Sequence, residues 1–166
     1  MQALRYLAQF AIYAGFAALL AALASGPTYT HFPADEALVK LAFAHGGKPR
    51  GECRRLSHEE LMKLAPNMRK PEVCPRERWP VEVELEVNGK LVYRATLPPS
   101  GLSGDGPSRA YERIALPAGR HDIALRLRDS GREEGFDYSH QQTVELAPRH
   151  SLLVDFRAGS GGFIVR

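Results

Sequence analysis

From Leu7 to Ala24 the chain carries no charged side chain, only Ala, Leu, Ile, Phe, Tyr, Gly and a single Gln9. A run of about 18 apolar residues is just long enough to cross a bilayer core as a helix. The rest of the chain is polar, holds both cysteines and reads as many short strands. An exported domain follows from this, held at a membrane or delivered across one. Two readings of the leading segment stand side by side. An uncleaved anchor over residues 7–24 fits the length, and Ala11 and Gly15 form a small-xxx-small pair able to pack on another membrane helix. A secretory signal fits Arg5 in a short n-region, an apolar run from Phe10, and Ala22-Leu23-Ala24 as a cleavage site before Ser25. Length favours the anchor. Arg5 precedes the segment and Lys40 is the first basic residue after it. The positive-inside rule therefore places the N-terminus in the cytoplasm and the remainder outside, on the periplasmic or extracytoplasmic side of the inner (cytoplasmic) membrane.

The chain has 166 residues and a formal net charge of +3. Beyond an anchor (1–25) and a linker (26–37), about 130 residues remain, one domain able to bury its own core. In that compartment a mild excess of base points to an acidic partner or anionic headgroups rather than to nucleic acid. Tyr29, His31 and Phe32 in the linker suit a membrane interface. An oxidising compartment favours a Cys53–Cys74 disulfide. Closing a loop of that size would stabilise the fold by roughly 3 kcal/mol.

The alternation of Val39, Leu41 and Phe43 with Lys40, Ala42 and Ala44 predicts a half-buried strand at the start of the 38–166 domain. A helical insertion (50–78) follows. Ser57 and Glu60 form a capping box, Leu56 and Leu61 a hydrophobic staple, and Pro66 limits the helix to about two turns. From Val81 the pattern is β. Val81, Val83, Leu85 and Val87 alternate with Glu82, Glu84 and Glu86, and Asn88-Gly89 marks a hairpin. A three-residue loop with a G1 bulge at Gly89 brings the apolar rows of both strands to one face, so that form is expected. Strands are also predicted around Ile114–Leu116, Ile123–Leu127, Val144–Leu146 and Leu152–Phe156, with a final edge strand at Phe163–Val165. Pro117-Ala118-Gly119-Arg120 is a tight turn and Asp129–His140 a long polar loop. The expected fold is mainly β: an N-terminal transmembrane helix, then an antiparallel Ig-like sandwich with a short disulfide-pinned helical insertion.

The order of "VELEVNGKLVYRATLP", "LPAGRHDIALRLRD" and "VELAPRHSLLVDF", from Val83 to Phe156, resembles PEGA-type and related transthyretin-like small sandwiches. Asn88-Gly89-Lys90 and Ala118-Gly119-Arg120-His121-Asp122-Ile123 carry the likeness, which covers under half of the chain. The loops Ser100–Ser108 and after Asp129 depart from it. The resemblance implies a small extracytoplasmic β-sandwich, usually an interaction or scaffold module, and carries no activity with it.

Chemistry is thinly represented. Ser103 is one residue off a nucleophile elbow and lacks the strand-turn-helix setting. The glycines of 101–106 and 159–162 open no helix and read as loops. His45, His121, His140 and His150 fall at strand ends or turns, where solvent exposure is the ordinary expectation. No residue set supports catalysis, and no cofactor is expected. His58, Met62 and Met68 form a thioether–imidazole set suited to Cu(I), which gives the alternative of a periplasmic copper carrier. The larger signal is the basic segment, with Arg54, Arg55, Lys63, Arg69, Lys70, Arg76, Arg78 and Trp79 as candidate partner-binding residues. The expected function is that of a membrane-anchored interaction module, an accessory or assembly subunit docked on a membrane protein complex.

Overall fold

The computed structural model describes residues 2–26 and 33–166. Tyr29, His31 and Phe32 lie outside the described residues. The chain divides into two compact units, Met1–Pro33 and Ala34–Arg166. In the first, α1 (Gln2–Ala24) is a 23-residue helix with no buried residue. At 1.5 Å per residue it measures about 35 Å, enough to cross the hydrocarbon core of a bilayer. An anchor and a signal sequence both satisfy that description.

The second unit begins four residues earlier than the spacing indicated, and its first strand is β1 (Glu36–His45). An insertion follows, holding β2 (Arg54–Arg55), α2 (His58–Lys63) and β3 (Glu72–Val73). The remaining strands are β4 (Val81–Val87), β5 (Lys90–Leu97), β6 (Ser108–Pro117), β7 (Gly119–Arg128), β8 (Tyr138–Leu146), β9 (Ser151–Arg157) and β10 (Gly162–Val165). Two four-stranded sheets result, in the orders β10-β9-β1-β6 and β5-β4-β7-β8. The tight turn at Ala118 is the crossover that carries the chain from β6 in one sheet to β7 in the other.

One core lies between the sheets. Val39, Leu41 and Phe43 of β1 meet Val81, Val83 and Leu85 of β4, Ile123, Leu125 and Leu127 of β7, and Val154 and Phe156 of β9. These are the apolar rows of the period-2 pattern, each strand burying one face. Phe156 sits among Phe43, Tyr138 and Phe163, with tilted and edge-on rings 5.0–5.9 Å apart. The sandwich is antiparallel except at one place, where β1 pairs with β9 in parallel from Leu38↔Ser151 to Leu41↔Val154.

The β4–β5 hairpin corrects the expected loop. Val87 pairs with Lys90, so the loop has two residues, and Asn88 (φ 52°) and Gly89 (φ 75°) are both left-handed. This is the turn whose twist matches that of the strands. The bulge needed to realign the faces is present, but inside β5. Glu86 pairs with Leu91 and Leu85 with Tyr93, leaving Val92 as the extra residue. Beyond it, Tyr93, Ala95 and Leu97 join the core side. The strain of a left-handed Asn is offset by β7. The Asn88 amide oxygen accepts the Asp122 N–H (2.9 Å), and its amide nitrogen donates to His121 Nδ1 (3.0 Å). His121 Nε2 then donates to the Pro117 carbonyl at 2.8 Å. His121 is therefore a buried, fully bonded strand residue, not the exposed turn residue expected.

Candidate interaction surface

Chain 48–79 leaves the end of β1, runs out and returns to β4 as a narrow antiparallel ribbon. The Arg50 N–H donates to the Glu77 carbonyl (2.7 Å), the Trp79 N–H to that of Lys48 (2.9 Å), and the Leu56 N–H to that of Pro71 (3.0 Å). Arg54 and Arg55 pair with Val73 and Glu72. The Cys53–Cys74 disulfide staples the ribbon just below that pairing. At the tip the Ser57 hydroxyl accepts the Glu60 N–H, and the Glu60 carboxylate accepts the Ser57 N–H at 2.8 Å. That capping box starts α2. Leu64 is extended, as a helix end near Pro66 requires, and Pro66 opens a further 3₁₀ turn, Pro66–Met68.

No residue of α2 or of that turn is buried, and β2 and β3 are exposed. The core of the sandwich contains no residue between Phe43 and Val81. The lobe therefore has no hydrophobic core of its own. A helix of six residues is far too short to hold itself together in water. Capping, the ribbon and the disulfide do that work.

The basic residues divide into two groups. Near the base, most are spent within the protein. Arg50 pairs with Glu77 (2.8 Å) and lies 4.5 Å over the Trp79 ring. Arg76 pairs with Asp105 (2.6 Å). Arg78 donates to the carbonyls of Gly47 (2.9 Å) and Asp105 (3.0 Å) and is partly buried. Trp79 has Arg50 over its ring and the Gly131 backbone against it, where any side chain at 131 would collide with the indole. Arg78 and Trp79 thus seat the lobe on the sandwich. Towards the tip, Arg54 pairs with Glu60 and Arg69 donates to the Leu64 carbonyl. Among the described residues Arg55, Lys63 and Lys70 form no ion pair. His58, Met62 and Met68 are all exposed on the same tip. Among the described residues the one cluster of His, Cys or carboxylate groups close enough to share a metal is Cys53, Glu72 and Cys74, and its two sulfurs are bonded to each other.

A polar cluster that the spacing did not reveal lies under the lobe. His45 Nε2 is 2.8 Å from Asp129 Oδ2, and the His45 ring packs edge-on against Phe156 at 4.7 Å. His45 is thus a second histidine drawn out of solvent. The Lys48 ammonium lies 3.1 Å from Asp137 Oδ1 and 3.4 Å from Asp129 Oδ1. The latter oxygen is buried and accepts no hydrogen bond, so Lys48 holds it by charge alone. Asp137 also accepts the Ser130 hydroxyl (2.7 Å) and the Asp129 N–H (3.0 Å). Burial opposes its ionisation. Those two donors and Lys48 outweigh burial and hold the carboxyl well below its ordinary value. Lys48 is raised in turn by its bond to Asp137. The cluster ties the end of β1 and the base of the lobe to the Asp129–Asp137 loop.

On the outer face of the second sheet, Glu82, Glu84 and Glu86 meet Arg94, Arg126 and Arg128 across the strands. An open trough of about 410 Å³ runs over this ladder to Glu133, Glu134 and Phe136. Ser103 has no hydrogen bond to a histidine or carboxylate among the described residues. The chain matches no protein family and no curated protein.

Proposed function

We propose that the protein is a membrane-anchored interaction module working outside the cytoplasm, an accessory or assembly subunit of a membrane protein complex. One observation carries this reading. The disulfide-stapled lobe holds exposed apolar and basic side chains in a fixed arrangement while contributing nothing to the core. Ordering such a segment costs conformational entropy that the sandwich does not recover. A partner that buries the lobe would recover it. An N-terminal helix of spanning length and a disulfide belong with an exported, membrane-held protein. The likeness of the 83–156 segment to small extracytoplasmic sandwiches points to the same class.

The test is purification of the tagged full chain from its native membrane in mild detergent, with identification of what accompanies it by mass spectrometry. A stoichiometric membrane-complex partner is expected. Charge reversal of Arg55, Lys63 and Lys70 to Glu should release it. A chain that is reproducibly alone overturns the reading.

A further inference from the structure

Among the described residues outside α1 the exposed large apolar side chains are Met62, Met68, Val73, Leu91, Leu102 and Tyr111. Single exposed apolar groups are normal on any surface. Three of these six are not scattered. Met62, Met68 and Val73 stand on the lobe, with 55%, 63% and 51% of their surface exposed. Leu102 is fully exposed at the tip of the 100–106 loop. That loop is bonded to the returning strand of the lobe. The Gly104 carbonyl accepts the Arg78 N–H at 3.1 Å, and Asp105 holds Arg76. The loop therefore stands against the base of the lobe, where Arg76 and Arg78 lie.

The charges on the lobe tip are placed beside its apolar groups. Met62 is followed by Lys63, and Met68 by Arg69-Lys70. Lys63 and Lys70 form no ion pair among the described residues, and Arg69 donates to a neutral carbonyl, so three cations are left uncompensated. From 54 to 73 five Lys and Arg outnumber three Glu. Thioethers are flexible and polarisable, and fit irregular partner surfaces. Lysine and arginine beside them select carboxylates.

We infer that the lobe tip, with its exposed apolar groups and the cations beside them, forms a docking surface for an acidic protein face, one with shallow apolar depressions rimmed by Asp and Glu. The inference rests on the interaction-module reading and names the chemistry of its partner. A lipid surface fits less well. The exposed apolar groups here include no aromatic ring of the kind that settles at headgroups. Glu59 and Glu72 share the tip and would face headgroup phosphates with like charge.

Site-specific photocrosslinking of the full chain in its native membrane tests this. A benzophenone amino acid is placed at Met62, Met68 or Val73, with Leu91 and Tyr111 as control positions. The three tip positions should each give one adduct with the same partner polypeptide. The crosslinked partner peptide should be rich in Asp and Glu. Lys63→Glu with Lys70→Glu should lower the adduct yield about tenfold. All of these residues are exposed, so the sandwich keeps its fold in every variant. Adducts with lipid alone would replace the protein face with the bilayer, and an adduct of twice the chain mass would replace it with a second copy. Equal yields from Leu91 or Tyr111, or no adduct from the tip while the partner still co-purifies, would remove the surface and leave the interaction-module reading standing. A chain that co-purifies with nothing removes that reading itself.

Discussion

The charge of Asp137 is built into the sandwich. Its carboxylate is almost fully buried and is held ionised by the Ser130 hydroxyl, the Asp129 N–H and Lys48. Its folded pKa lies below its unfolded one, so ionisation favours the folded state. That contribution is complete above about pH 5 and is lost progressively as the pH falls through 4 toward the folded value. Asp137→Asn should cost about 2–3 kcal/mol in urea melts at pH 7 and flatten the acid limb of the stability curve. At the hairpin, Asn88→Ala should cost about 2–3 kcal/mol, because it loses both side-chain bonds and puts an alanine in the left-handed region. Asn88→Gly should cost less, since only the bonds go. Equal losses in thermal melts would show that backbone strain plays no part there. The Asn88-Gly89 signal was enough to place this turn. The bonds to Asp122 and His121 that settle its two-residue form come from a strand more than 30 residues away, beyond any local pattern.

The lobe and the sandwich are separate elements with separate sources of stability. Reducing Cys53–Cys74 removes the main restraint on a segment with no buried residue. Dithiol treatment should therefore expose the lobe to trypsin at Arg54, Arg55, Lys63 and Arg69, while the sandwich remains folded by near-UV circular dichroism. Loss of both together would mean that the lobe is integral to the core. Ser57→Ala should destabilise the tip by about 1 kcal/mol, read as faster amide exchange confined to α2. The capping box, the staple and the proline are adjacent in sequence, which is why α2 was legible residue by residue. The pairing of Arg54-Arg55 with Glu72-Val73, and the fact that several arginines are consumed within the protein, depend on two strands meeting, and net charge carries no record of that.

For the whole molecule, the decisive arrangement is that the lobe leaves and re-enters the sandwich at one place. Pro49 and Arg78 are bridged, and Lys48 bonds to Trp79. Replacing residues 51–76 with a two-residue turn should leave a folded sandwich with a cooperative melt and abolish partner binding. A collapsed or molten product would show that the lobe is needed for folding. The sequence by itself determined the long apolar N-terminal helix, the β character of the rest, the inward faces of the main strands, the cysteine pairing and the capped helix. Each of these is set by composition or by spacing within about ten residues. The tertiary structure alone decided the parallel β1–β9 pair, the crossover of β6 to the opposite sheet, the burial of His45 and His121, the Asp129–Asp137 cluster, and which cations remain free. Those depend on groups distant in the chain coming within bonding distance, where desolvation and pairing rather than local propensity choose the outcome.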